Sequence, residues 1–147
     1  MGTADGIADD DWEHVQELAA RLCDAAEGSE QETISRRNLF EYLDELEKKY
    51  GPLPSILATQ GDFVEDYDKK EGLLSRAYDA AVAAGDRRNS LDIAHSMTAL
   101  YLEELVSLVE ARQWLDRLDA HLLDIHDSTY ADDAQRFRRM LGQLEGK

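Results

Sequence analysis

The sequence is poor in cysteine, proline, basic residues and long apolar runs, and each shortage excludes a class of protein. The single cysteine, Cys23, excludes an intramolecular disulfide and a thiolate metal cluster. No apolar run approaches the ~20 residues that a membrane-spanning helix needs. The acidic N-terminus lacks the basic and apolar regions of a signal peptide. We therefore expect a soluble cytoplasmic protein.

Basic residues are outnumbered by acidic ones, 16 to 32, which gives a net charge of −16. Binding to nucleic acid or to an anionic membrane depends on Lys and Arg side chains that neutralise phosphates, so neither kind of partner is expected. The charge permits a basic protein partner, which long-range attraction would steer toward the chain. The alternative is that the acidity serves solubility alone.

Helix breakers and strand signals are both scarce. The chain has 2 prolines and 9 glycines in 147 residues, and no run alternates β-branched or aromatic residues with polar ones. Hydrophobic residues make up 43% of the chain, which is enough to build a core. We therefore predict an all-α fold in a single domain over residues 1–147.

Apolar stripes at helical spacing divide the chain into seven predicted helices. Residues 1–8 are expected to be frayed, and residues 9–50 form an N-terminal helix pair that stops at Gly51-Pro52. Residues 53–126 hold two further pairs, and a helix over 128–145 closes the chain. We place a turn at 66–72. The candidate N-caps are Asn89 or Ser90 for the helix after Gly85, and Asp127 or Ser128 for the last helix.

The central region shows two similar helix pairs in succession. Gly61, with Leu57 before it and Ala77 on the following helix, lies where a small residue lets two helices approach closely. Its counterpart in the next pair is Thr98, followed by these residues in corresponding positions: Tyr101, Ala111, Leu115 and Leu118. This pattern resembles the tetratricopeptide repeat (TPR), whose period is about 34 residues. Thr98 and Val64 depart from it, since the family prefers a smaller residue and an aromatic there.

The resemblance implies a short right-handed solenoid of stacked helix pairs with a C-terminal capping helix; a generic helical bundle is the alternative. In such a solenoid the first helix of each pair lines a concave groove. Six residues would then face this groove and bind the partner: Asp62, Glu65, Asp66, Asp92, His95 and Glu103. A groove lined in this way would favour a Lys- or Arg-rich segment, whereas the alternative is a solvated acidic face.

No motif for catalysis, a cofactor or a metal ion is present. The histidines lack the spacing of zinc or di-iron sites, and adjacent carboxylates such as Glu103 and Glu104 do not face each other on an α-helix. We therefore expect a non-enzymatic interaction module that recognises a basic protein or peptide, with an inhibitor or immunity protein as one fitting role. The alternatives are a self-associating structural subunit, such as a homodimer, and an enzyme without a visible motif.

Overall fold

A computed structural model describes residues 2–146 of the chain, and every regular element in that range is helical. The all-α prediction and the number of helices are therefore confirmed. The seven α-helices are α1 (Asp9–Asp24), α2 (Glu30–Tyr50), α3 (Pro54–Phe63), α4 (Tyr67–Ala83), α5 (Arg87–Ala99), α6 (Leu108–Asp124) and α7 (Ser128–Glu145). A π-helical segment, Leu100–Glu104, continues α5.

Side-chain caps set where several helices begin. Asp66 accepts a hydrogen bond from the Lys69 amide at 3.1 Å, so α4 begins at Tyr67 and not after the turn predicted over 66–72. The last helix is capped by Asp127, one of its two candidates, which accepts from the Tyr130 amide at 2.9 Å.

Helix α5 begins earlier than predicted because its cap is Asp86. This carboxylate accepts from the amide of Asn89 at 3.1 Å, so Asn89 and Ser90 lie inside the helix rather than before it. Gly85 ends the preceding turn with φ of +68°, a conformation that suits glycine. The connection between α4 and α5 is therefore shorter than the sequence suggested.

Each helix packs against its neighbour along the chain, and α5 also contacts α3 and α7. Buried apolar side chains form two cores. The first core consists of Ile7, Val15, Leu18, Leu22, Leu39, Leu43, Leu46 and Ile56. The second and larger core runs from Leu57 to Leu141 and includes Leu74, Met97, Leu118 and Phe137. The neighbouring residues Ile56 and Leu57 of α3 belong to different cores, so α3 lies between them.

The contact between α3 and α4 is close at Gly61. A Cβ atom added there would lie 2.9 Å from Cγ of Leu74, whose side chain is fully buried. Glycine therefore permits an approach that any larger residue would obstruct. Thr98, its sequence counterpart on α5, is fully buried, and its hydroxyl donates to the Ala94 carbonyl at 2.7 Å.

The N-terminal residues are packed where the sequence predicted fraying. Residues 2–8 fold against the start of α3, and Ile7 is buried in the first core. The Asp5 carboxylate accepts from the amide of Ser55 at 2.7 Å and from its hydroxyl at 2.9 Å. Because the N-cap residue Leu53 has no side-chain acceptor, Asp5 supplies the missing cap for α3 from a distant part of the chain. Met1 lies outside the described residues.

Among the helices of residues 2–146, none is both long enough and apolar enough to cross a bilayer.

Candidate functional site

Three of the six residues predicted to bind a partner lie together in one cleft. This acidic cleft, of about 240 Å³, is lined by Asp62, Lys70, His95, Ser96, Ala99, Leu100, Glu103 and Glu104. Asp62 comes from the last turn of α3, His95 from α5 and Glu103 from the π-helical segment. The contact between α3 and α5 therefore brings together three of the six residues that the sequence placed in one groove.

Glu65 and Asp66, although predicted to share the groove, have local roles in the structure. Glu65 lies in the connection between α3 and α4, and its carboxylate is 3.5 Å from Nη1 of Arg36 on α2. Asp66 caps α4. Neither residue lines the acidic cleft.

Asp92 lies one turn before His95 on α5 and lines a different depression, next to the N-terminal residues Thr3 and Ala4. Its Oδ1 atom is 3.2 Å from Nη2 of Arg88. Burial raises the pKa of Asp92, and the nearby Arg88 opposes that rise. Asp92 is thus paired with a cation of its own helix and lies outside the acidic cleft.

His95 is held firmly from the side of α7. Its Nε2 atom is 2.8 Å from Oδ2 of Asp133, and its ring stacks on that of Tyr130 with centroids 4.3 Å apart. The ring of Phe137 contacts it as well, at 5.3 Å between centroids. One ring nitrogen is therefore committed to Asp133, which fixes the orientation of the imidazole beside the cleft.

Asp62 is the carboxylate whose environment least favours its charge. The pKa of Asp62 is raised to about 6 because surrounding protein displaces water from the carboxyl group, and the charge of Lys70 only partly offsets this. The residue as a whole remains exposed, so the shift reflects crowding around the carboxyl group alone. Its place in the last turn of α3, near the negative end of the helix macrodipole, also disfavours a carboxylate.

Two glutamates of the π-helical segment complete the rim of the cleft. The Leu105 amide donates to the Leu100 carbonyl at 2.9 Å, a hydrogen bond that spans one residue more than in an α-helix. Glu103 and Glu104 of this segment both line the cleft.

The rim glutamates already have partners at the surface. The Tyr67 hydroxyl donates to Glu104 at 2.7 Å, and Nη1 of Arg136 lies 3.4 Å from Glu103. Both contacts are exposed, where an ion pair contributes about 1 kcal/mol or less. These two carboxylates are therefore positioned by exposed neighbours at the surface.

The sequence did not reveal Lys70, Glu104 or Asp133 as parts of this site. Lys70 and Asp133 reach it from the helices α4 and α7, and nothing in their local pattern indicates that they approach α5. The predicted register included Glu103 and did not include its neighbour Glu104.

Three carboxylates, one ammonium group and one imidazole line or border the cleft. Within residues 2–146, no three His, Cys, Asp or Glu side chains are grouped so as to hold a metal ion. A scan against protein-family models, a search of curated proteins and a search of solved structures each found no match for this chain.

Proposed function

We propose that this chain is a non-enzymatic interaction module whose acidic cleft recognises a basic protein or peptide. The observation that carries the proposal is the convergence of Asp62, Glu103 and Glu104 on one cleft that contains a single ammonium group, that of Lys70. A cationic segment would supply the positive charge that the cleft lacks. The net charge of −16 would steer such a partner toward the protein before contact.

The proposal includes a TPR-like arrangement of the helix pairs. Three observations support it: the contacts of each helix with its neighbour, the contacts of α5 with both α3 and α7, and the close approach at Gly61. Stacked pairs of this kind present the first helix of each pair on one concave side. A generic bundle would place the same three helices together without a groove that continues beyond them.

Within this class, an inhibitor or immunity protein that neutralises a basic partner in the cytoplasm fits the size and charge of the chain. The alternative function is a self-associating subunit. That alternative would be favoured by exposed Leu and Tyr side chains on the N-terminal pair. Among the described residues, the exposed large apolar side chains are Tyr67, Val82, Val106, Val109 and Leu123, all outside α1 and α2. The N-terminal pair thus offers little apolar surface for a second copy.

A comparative pull-down tests the proposed function. The cleft triple variant, Asp62→Asn, Glu103→Gln and Glu104→Gln, removes three charges with little change in shape. The control triple, Glu41→Gln, Asp44→Asn and Glu45→Gln, removes three exposed charges from α2. Each protein is immobilised at physiological salt with lysate of the source cells, and captured proteins are identified by mass spectrometry.

The proposal predicts that wild type and the control triple capture the same basic protein, whereas the cleft triple loses it. Equal capture by all three proteins would refute the cleft as the binding site. Equal loss from both triples would show that total charge matters and that the cleft does not. Circular dichroism of each variant establishes that the helices remain folded.

A further inference from the structure

We infer, on the basis of the proposed function, that the acidic cleft takes one lysine or arginine side chain of the partner, with its aliphatic stem on Ala99 and Leu100 and its cationic group between Asp62 and the two glutamates. The cleft thereby selects for a single anchoring residue within a basic segment. Three features of the cleft support this ligand chemistry: its lining, its position at two helix ends and the position of Lys70.

The lining of the cleft changes from apolar to acidic. Ala99 and Leu100 provide apolar surface, while Asp62, Glu103 and Glu104 carry the negative charges. Lysine and arginine combine an aliphatic stem with a cationic end, and they bury the stem on apolar surface when the charged end has a polar partner. A volume of about 240 Å³ is too small for a helix or a strand and is large enough for one such side chain.

Two helix C-termini meet at the cleft. Asp62 lies in the last turn of α3, and Glu103 and Glu104 end the helical stretch that α5 begins. The C-terminal end of a helix carries partial negative charge from its unpaired carbonyl groups, and it attracts cations. Backbone and side chains therefore favour the same sign of ligand charge, at a position where burial of the carboxyl group raises the pKa of Asp62 to about 6.

The position of Lys70 shows how an ammonium group contacts the edge of the cleft. Its Nζ donates to the backbone carbonyl of Asp62 at 3.3 Å, at the C-terminal end of α3. This hydrogen bond goes to the backbone carbonyl of Asp62 and not to its carboxylate. The ammonium group of Lys70 would repel a ligand cation bound in the same cleft, so Lys70 should weaken binding. Replacing Lys70 with a neutral residue should therefore strengthen binding.

NMR titration of the full chain tests this inference with short probes in place of the partner. The probes are the acetylated, amidated tripeptides Ala-Lys-Ala, Ala-Arg-Ala, Ala-norleucine-Ala and Ala-acetyllysine-Ala, added to 15N-labelled protein at low salt and pH 7.5. The cationic tripeptides should shift the amide resonances of Ala99, Leu100 and Glu103, with dissociation constants in the millimolar range. Norleucine and acetyllysine keep the stem and lack the charge, so they should bind at least several-fold more weakly.

Two variants with opposite expected effects sharpen the test. Asp62→Asn should weaken binding of the lysine tripeptide by about tenfold, the loss expected for a charge-assisted hydrogen bond. Lys70→Gln should strengthen it by a few fold. Asp44→Asn on α2 is the matched control and should change nothing. Weaker binding by Lys70→Gln would overturn the inference, since Lys70 would then help to hold the ligand.

The outcome also separates this inference from the proposed function. Equal binding of the lysine and norleucine probes, or no binding at tens of millimolar, would refute the single-side-chain anchor. If the cleft triple variant nevertheless lost its basic partner in the pull-down, the proposed function would stand with a different mode of contact. If both experiments were negative, both proposals would fall.

Discussion

The N-terminal pair, α1 with α2, and the region α3–α7 are built around separate cores and differ in charge. Residues 1–53 carry 14 acidic and 5 basic residues, a net charge of −9, which leaves −7 for the much longer remainder. The first core is small and receives one residue, Ile56, from α3. The second core spans five helices and lies beneath the acidic cleft.

Polar contacts reinforce the smaller region at its edge. The Asp11 carboxylate of α1 accepts from the Tyr50 hydroxyl at 2.6 Å and pairs with Lys49 at 2.8 Å, both on α2. These hydrogen bonds from Lys49 and Tyr50 lower the pKa of Asp11. In the acidic cleft the opposite holds, since the pKa of Asp62 is raised by crowding. Asp11 and Asp62 therefore differ in environment: hydrogen bonds stabilise the charged form of Asp11, whereas crowding disfavours the charged form of Asp62.

The largest expected effects come from truncation in the two cores. Phe137 and Leu43 are fully buried in the second and first core respectively. Phe137→Ala and Leu43→Ala should each lower the free energy of unfolding by about 3–4 kcal/mol. Native-state hydrogen exchange should quicken mainly in α5–α7 for Phe137→Ala and mainly in α1 and α2 for Leu43→Ala. Uniform quickening in both variants would show that the two cores open as one unit.

Alanine substitutions at two glycines should change stability by smaller amounts and in opposite directions, because Gly61 lies at a close helix contact and Gly72 does not. Gly61→Ala places a methyl group against the buried Leu74, so overpacking should outweigh the gain in helix propensity and lower stability by about 1–2 kcal/mol. Gly72→Ala, on α4, meets no atom within 4 Å and should raise stability by about 0.5–1 kcal/mol. Chemical denaturation of the two variants checks the pair of signs. Stabilisation by both substitutions would mean that α3 and α4 have room to separate at Gly61.

The link between the N-terminal residues and α3 should contribute about 1 kcal/mol. Asp5→Ala removes the acceptor that caps α3 through Ser55, and loss of an N-cap typically has this magnitude. A double-mutant cycle with Ser55→Ala measures the coupling between the two side chains. Because Ser55→Ala keeps the backbone amide, additive effects of the two substitutions would show that Asp5 acts through this amide and not through the Ser55 hydroxyl. No loss of stability in Asp5→Ala would contradict the capping role.

Replacing Asp62 with a neutral residue should raise the stability of the fold, whereas Asp5→Ala should lower it. The pKa of about 6 in the folded chain lies above its ordinary value of 3.8, so folding favours the protonated carboxyl, and the contribution of Asp62 to stability is lost as the pH rises through about 6. At pH 7.5, Asp62→Asn should therefore raise stability by about 1 kcal/mol after allowance for solvent screening. Thermal melts at pH 5 and pH 7.5 check this. Because pH 5 lies between the ordinary pKa of 3.8 and the folded pKa of about 6, the gain should fall to about half there, and a gain of equal size at both values would contradict the electrostatic cause.

Local signals in the sequence predicted the helices well. Gly51 and Pro54 end α2 and start α3 as expected, and Asp127 caps α7. These features depend on a few neighbouring residues, whose conformational preferences act within one turn. The convergence of Asp62, His95 and Glu103 was also predicted, although through a resemblance to a repeat family rather than from the residues themselves.

Contacts between distant residues were beyond what the sequence pattern could predict. Asp5 meets Ser55 across 50 positions, and His95 meets Asp133 across 38. No periodicity connects such pairs. The π-helical segment was missed for a different reason: it follows from how Leu105 and Ser107 bond to Leu100 and Tyr101, and Val106 adopts φ of +49° to allow it. A valine in that conformation is unfavourable by itself and requires support from tertiary structure.

The most direct test of the account is the amount of basic partner that Asp62→Asn captures at pH 7.5, relative to wild type, with melting temperatures measured on the same samples. We predict that capture falls strongly while the melting temperature rises, because the carboxylate is retained for binding and not for stability. Capture equal to that of the wild type would contradict the assignment of the acidic cleft as the partner-binding site.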